Sequence, residues 1–182
     1  MSDDPSGAES SGGNSVSGTD LRTAIDADVD LDALCRLATD VLVAEGIEGG
    51  QLDVHLMDPD DMAALNLEHM GHEGPTDVLS FPLGLIDDFA TIDGDVEVGP
   101  QLLGDVVLCP SVAAAQAPEH AGSLDGELSL LVIHGVLHIL GHDHAETDEM
   151  VVMQAKERWH LARRGLTHPV PDPLEVAVGD EA

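Results

Sequence analysis

The chain has 182 residues, which is enough for one domain with a sizeable hydrophobic core. Its formal net charge of −30 excludes a broadly basic surface, and an acidic surface repels nucleic acid at low salt. No stretch is apolar over the length of a membrane-spanning helix, and Cys35 and Cys109 make no disulfide framework. We expect a cytoplasmic protein, whose acid excess resembles that of proteins adapted to high salt.

Both ends of the chain are expected to lie outside the folded domain. Residues 1–20 are mostly Ser, Gly and Asp without apolar periodicity, which predicts a disordered acidic lead rather than a signal peptide. Residues 169–182 are rich in proline and then acidic, which predicts a loose tail. The predicted domain therefore spans residues 21–168.

Between these ends, the spacing of apolar residues predicts alternating helices and strands. Asp30 is suited to cap the first helix and Gly46 to end it, and a second helix begins at Pro59 and stops at Gly71. In chain order we expect helices over 31–45 and 59–70, strands over 52–56, 78–81 and 102–108, an acidic loop or hairpin over 83–101, a short helix over 111–117, a long helix after 123, and a final helix over 147–164. This order predicts a single α+β domain, with a small mixed β-sheet packed against several helices.

Three smaller features bear on the core and on the surface. Apolar residues of the final helix are expected to contact the core; they are Met150, Met153, Trp159 and Leu161. The same region holds basic residues that suit the negative end of a helix or, alternatively, a phosphate-binding face; they are Lys156, Arg158, Arg163 and Arg164. Asp77 is expected to cap a turn through backbone amides, with a place beside a metal site as its alternative role.

Residues 134–144 carry the strongest chemical signal of the chain, reading His-Gly-Val-Leu-His-Ile-Leu-Gly-His-Asp-His. His134 and His138 lie four residues apart on a predicted buried helix, so their imidazoles share one face. Gly141 can adopt the left-handed conformation that ends a helix, after which the chain can bring His144 to the same point. Three neutral imidazoles with an open fourth position are typical of catalytic zinc. We therefore predict a tri-His site for one Zn²⁺ per chain at the end of a buried helix.

The histidine spacing also matches a long motif of metzincin proteases, H-E-x-x-H-x-x-G-x-x-H, but Gly135 replaces the glutamate that acts there as general base. Two other interpretations stay open. The histidines could be core residues satisfied by hydrogen bonds, although three buried imidazoles need several partners. Alternatively, His142 or Asp143 could close the shell of a structural zinc.

Three segments together resemble the bacterial YbeY family; they are Pro75–Pro82, Leu103–Leu108 and His134–His144. Members of this family are single-domain, zinc-dependent endoribonucleases linked to ribosomal RNA maturation. The resemblance covers residues 31–165 and implies an α+β fold with the metal at the bottom of a cleft. It implies His134, His138 and His144 as the metal ligands. The chain departs from the family pattern at Met70, where many members carry an arginine able to hold a phosphate.

The residues and the resemblance together predict a single-strand-specific, zinc-dependent endoribonuclease. It is expected to act in maturation of small-subunit ribosomal RNA and in ribosome quality control, with RNA and the ribosome or ribosome-associated proteins as partners and no membrane. Zinc lowers the pKa of a bound water to about 7 and stabilises negative charge at phosphorus. We expect Asp143 to orient a ligand histidine and, secondarily, to transfer protons. The alternatives are a zinc peptidase-like hydrolase and a ribosome-assembly factor whose zinc is structural.

Overall fold

Four strands and five α-helices make up the part of the chain that the computed structural model describes, residues 13–23, 28–84, 101–143 and 146–171. The strands are β1 (Ser15–Asp20), β2 (Gly50–Leu56), β3 (Val78–Pro82) and β4 (Gln101–Leu108). The helices are α1 (Leu31–Ala44), α2 (Pro59–Met70), α3 (Pro110–Gln116), α4 (Leu124–Ile139) and α5 (Thr147–Ala162), with a 3₁₀ turn at Ala117–Glu119. This content confirms the predicted α+β fold.

The strands form one mixed sheet in the order β1-β2-β4-β3. β2 lies parallel to both β1 and β4, whereas β3 pairs antiparallel with β4. Side chains along β2 alternate between buried and half-buried, as expected when helices cover one face of a sheet more closely than the other. Helices α1 and α4 contact each other and the strands, and the main hydrophobic core lies between these two helices and the sheet. Its centre includes Leu42, Leu52, Leu56, Ile133 and Leu137.

β1 corrects the prediction that residues 1–20 are disordered. Residues 15–20 form a strand parallel to β2, with Ser15 opposite Gln51. This pairing uses backbone groups, so it leaves little trace in the hydrophobic pattern from which the sequence was interpreted. Gly18 also lies so close to α1 that a Cβ there would come within 2.7 Å of Cys35 Sγ. The predicted boundary at residue 20 is therefore wrong, while residues 1–12 and 172–182 lie outside the described part.

Local signals placed most element ends correctly. Asp30 caps α1, because its Oδ1 accepts a hydrogen bond from the backbone N–H of Ala33 at 2.9 Å. Gly71 ends α2 with a φ of 71°, a conformation that glycine adopts at low cost. Of the predicted loop over 83–101, residues 85–100 lie outside the described part and Gln101 already belongs to β4.

Two apolar residues of α5 do not lie in the core as predicted. Trp159 is 49% exposed and Met150 is 38% exposed, whereas Met153 and Leu161 are buried. Trp159 lies on the outer side of α5, where the guanidinium of Arg163 stands 4.7 Å above its ring. This contact accounts for the exposed indole better than core packing does.

α4 is the central helix of the fold, since it contacts α1, α3, α5, β3 and β4. It is 16 residues long and buried over most of its length. Even so, no helix in the described part of the chain is long and apolar enough to cross a membrane. Gly104 of β4 lets the sheet approach α4, because a Cβ there would overlap the backbone oxygen of Phe81 and lie 2.8 Å from Ile139 Cδ1.

Candidate functional site

The C-terminal half of α4 brings two imidazoles together. His134 and His138 are one helical turn apart, and their Nε2 atoms lie 3.1 Å from each other. The rings stand edge to face, with centroids 4.6 Å apart. Two nitrogens bound tetrahedrally to one zinc at ordinary bond lengths would lie about 3.4 Å apart. The pair is therefore close to the spacing that a shared metal ion requires.

The helix then ends as the sequence predicts. Gly141 has a φ of +88°, and its N–H donates to the carbonyl of His138 at 3.0 Å. The N–H of His142 donates to the carbonyl of Leu137 at 3.0 Å, which completes a Schellman motif. This motif reverses the chain immediately after the histidine pair.

The remaining predicted site residues follow this turn. Asp143 is exposed and is the last residue before a gap in the described chain. His144 lies outside the described residues. Within the described ranges, no group of three or more His, Cys, Asp or Glu side chains is arranged so that it could hold a metal ion. The third ligand therefore remains a prediction.

Glu157 of α5 is a site residue that the sequence analysis missed. Its Oε1 accepts a hydrogen bond from His134 Nδ1 at 2.7 Å, and its Oε2 accepts one from His168 Nε2 at 2.9 Å. Burial alone raises the pKa of Glu157, but the hydrogen bonds from the two histidines outweigh it and lower the pKa to about 2. The carboxylate therefore stays ionised and fixes His134 with Nδ1 as donor. That leaves Nε2 as the metal-binding nitrogen, a common arrangement around zinc.

A second carboxylate, Glu45, anchors the segment after α4. Its oxygens lie 3.0 Å from His160 Nε2 and 3.8 Å from His142 Nε2, and Lys156 also forms an ion pair with it. Burial is the main cause that lowers the pKa of His142, which favours its neutral form. His142 thus lies near Glu45 at the end of α1.

Two of the four basic residues near the C-terminus are engaged in internal contacts. Lys156 pairs with Glu45, as described above. Arg158 donates to the backbone carbonyls of Val170 and Pro171, at 3.3 and 3.0 Å. Because internal contacts occupy two of these cations, the alternative interpretation of the cluster loses support.

Gly135 is packed so closely that an added Cβ would force its neighbours to shift. A Cβ at this position would lie 2.7 Å from Val106 Cγ1 and 3.1 Å from Ser80 Oγ. α4 therefore rests directly on β3 and β4 at the point where the protease motif has its glutamate. The substitution seen in the sequence reflects a steric limit of this fold.

A cavity of about 300 Å³ opens beside His134. Asp77 lines it and also caps the turn before β3, because its Oδ1 accepts from the backbone N–H of Val78 at 2.8 Å. This hydrogen bond confirms the predicted turn. The cavity is lined by Asp77, Val78, His120, Leu130, Leu131, His134, Met150, Met153, Gln154, Glu157, His168 and Val170.

The fold and the site together define an α+β domain with a candidate metal site beside a cavity. A model of the family described as Endoribonuclease YbeY matches residues 22–165, and the chain belongs to this family. This finding confirms the resemblance seen in the three sequence segments.

Individual relatives agree with the family assignment. The Endoribonuclease YbeY of Salinispora tropica is 47% identical over 136 residues, which cover 71% of this chain and 87% of the relative. That of Streptomyces coelicolor is 43% identical over 170 residues, covering 88% and 95% of the two chains. The solution structure of TM1509 from Thermotoga maritima matches with a TM-score of 0.50 at 23% identity, over 84% of this chain and 91% of that one. The last comparison concerns the fold alone.

Proposed function

We propose that this protein is a zinc-dependent endoribonuclease that cuts single-stranded RNA. The observation that carries the proposal is the 3.1 Å approach of His134 Nε2 and His138 Nε2 beside the cavity. Glu157 accepts a hydrogen bond from Nδ1 of His134, on the other side of the ring. Imidazole pairs backed by a buried carboxylate are typical of zinc sites. We propose His144 as the third ligand, because it follows His138 by six residues, just after the turn at Gly141 that ends the helix.

Each residue of the site has a distinct task in this proposal. Zinc, when bound, supplies a Lewis acid for the phosphoryl oxygen and a more acidic water. His134 and His138 hold the ion with their Nε2 atoms, and Glu157 fixes the tautomer and direction of His134. Asp143 orients a ligand histidine and, secondarily, accepts or returns a proton. The cavity beside His134 leaves room for the RNA backbone.

The proposed biological role follows from the family. The curated relatives carry the name Endoribonuclease YbeY. We propose small-subunit ribosomal RNA as the substrate, with roles in its maturation and in ribosome quality control, and ribosome-associated proteins as partners. We place this activity in the cytoplasm, because the thiols of Cys35 and Cys109 are both free of disulfides.

Two alternatives receive less support from the site. A peptidase of the H-E-x-x-H type needs a glutamate at position 135, where even a Cβ would overlap Val106. A purely structural zinc is normally closed by four protein ligands, whereas His134 borders an open cavity. Both points favour a catalytic site.

Metal content paired with an RNA assay tests the proposal. The protein is purified without chelator, zinc per chain is counted, and single-stranded and duplex RNAs are compared as substrates beside a fragment of small-subunit ribosomal RNA. We expect about one zinc per chain and cleavage that disappears on zinc removal and returns on zinc addition. His138→Ala should abolish cleavage, whereas the matched control His72→Ala, an exposed residue beyond α2, should retain it.

Other results would redirect the interpretation. Stoichiometric zinc with a sharp fall in melting temperature for His138→Ala, but no RNA cleavage by the wild type, would support the assembly factor instead. Cleavage of casein but not of RNA would support the peptidase.

A further inference from the structure

A second histidine–carboxylate pair lies at the other end of α4. His120 Nδ1 is 2.9 Å from both carboxylate oxygens of Glu127. Glu127 is only 1% exposed, and it also accepts a hydrogen bond from the backbone N–H of Ala121 at 3.2 Å. A buried carboxylate needs such partners, and in return it fixes the direction of the imidazole. The contact with Glu127 therefore fixes the orientation of the His120 side chain.

His120 shares the cavity with His134, although His120 lies in the turn before α4 and His134 in the C-terminal half of that helix. The turn that carries His120 is itself fixed, since the N–H groups of His120 and Gly122 both donate to the carbonyl of Ala117, at 3.2 and 2.7 Å. His134 of the candidate metal site and His120 of the second pair therefore face a common space of about 300 Å³.

Among the described side chains around this cavity, His120 is the best placed to exchange a proton with a substrate. His168 uses Nδ1 with Val170 and Nε2 with Glu157. His134 uses Nδ1 with Glu157, and its Nε2 faces His138. The hydrogen bonds described for His120 involve Nδ1, and its side chain is 43% exposed. Nε2 of His120 is then the nitrogen that can meet a bound ligand.

We propose that His120 is a further catalytic residue, which protonates the leaving oxygen of the scissile phosphodiester, and that Glu127 is its positioning residue. This inference rests on the proposed endoribonuclease function. Histidine suits the task because it can hold and release a proton near neutral pH.

The step balances as follows in atoms and electrons. An oxygen of water or of the neighbouring 2′-hydroxyl forms a bond to phosphorus and releases its proton to solvent, while the bond from phosphorus to the leaving ribose oxygen breaks. The electron pair of the broken bond goes to the leaving oxygen, which takes the proton from His120 Nε2. Solvent then returns a proton to the neutral imidazole, while Nδ1–H stays bonded to Glu127.

A substrate that needs no acid isolates this step. Two short single-stranded RNAs are prepared that differ only at the cleaved bond, where one carries the normal leaving oxygen and the other a sulfur. The bridging position to replace, 3′ or 5′, is read from the ends of the wild-type products. A thiolate leaves without protonation, so a proton donor is not required for the sulfur RNA.

We expect His120→Ala to slow cleavage of the oxygen RNA by about 100-fold or more, the usual contribution of a general acid. The same variant should cleave the sulfur RNA at close to the wild-type rate, with unchanged zinc per chain. Glu127→Gln should show the same pattern to a smaller extent. The matched control Glu119→Gln, an exposed residue next to His120, should cleave both RNAs like the wild type.

The inference fails if His120→Ala slows both RNAs equally or slows neither. Because His120→Ala leaves Glu127 buried without its main partner, the double variant His120→Ala/Glu127→Gln removes that charge and supplies a folded alternative. A zinc-loaded wild type that cuts no RNA would instead contradict the proposed function itself and remove the basis of this inference.

Discussion

Gly135→Ala adds one methyl group at a close contact between α4 and the sheet. In an ordinary helix this substitution stabilises, because alanine is favoured over glycine by about 1 kcal/mol. Here the new Cβ would lie 2.7 Å from Val106 Cγ1 and 3.1 Å from Ser80 Oγ, whereas ordinary van der Waals contact begins at 3.4 Å. The helix or the strand must therefore shift by several tenths of an ångström.

The structure gives the sign and the size of the effect. Overpacking of this kind costs about 1–3 kcal/mol, from which the gain in helix propensity of about 1 kcal/mol is subtracted. We expect Gly135→Ala to lower the free energy of unfolding by up to about 2 kcal/mol. Gly135→Glu, which would restore the protease motif, should be more destabilising and should not create peptidase activity.

Urea unfolding at a fixed excess of zinc measures the change. Val106→Ala provides the matched control, because removing its methyl groups makes room for the new Cβ. In a double-mutant cycle, Gly135→Ala should cost at least about 1 kcal/mol less in the Val106→Ala background. Stabilisation by Gly135→Ala, or strict additivity of the two substitutions, would refute the steric argument.

Three further predictions concern the carboxylate behind the site and the sheet. Glu157→Gln should weaken zinc binding by about 10- to 100-fold, measured by competition with a chromophoric chelator; unchanged affinity would separate Glu157 from the metal. The pKa of Glu157 falls from its usual 4.5 to about 2 on folding, so the stabilisation is complete above pH 4.5 and disappears as the pH falls toward 2. The zinc-free protein should lose about 3 kcal/mol over this range, and the loss should shrink in Glu157→Gln when urea unfolding is followed against pH. Gly104→Ala should unfold the protein or nearly so, as judged by circular dichroism, because its Cβ would overlap the backbone of Phe81 in a conformation with a φ of +147°; a variant of wild-type stability would contradict that account.

The sequence predicted what depends on neighbouring residues. The cap at Asp30, the helix ends at Gly71 and Gly141, and the pairing of His134 with His138 all follow from spacings within a few residues. Such local rules operate before the chain is packed, so the structure retains them.

What the sequence did not predict depends on contacts between distant segments. β1 is held by backbone pairing with β2, and its polar side chains do not show this. Glu157 lies 23 residues from His134. The sequence does contain a signal for Glu157. It lies midway between Met153 and Leu161 on the buried stripe of α5, where an acidic side chain is rare unless it has a bonding partner. The prediction that Trp159 contacts the core is wrong because hydrophobicity alone does not show which face of a helix is buried.

Crystallography at the zinc absorption edge tests the central claim most directly. Zinc-loaded crystals should show one anomalous peak per chain, about 2.0–2.1 Å from Nε2 of His134, Nε2 of His138 and an imidazole nitrogen of His144. An anomalous peak elsewhere would contradict the claim. So would crystals grown in excess zinc in which Nε2 of His134 and Nε2 of His138 remain in contact and no metal is bound to them.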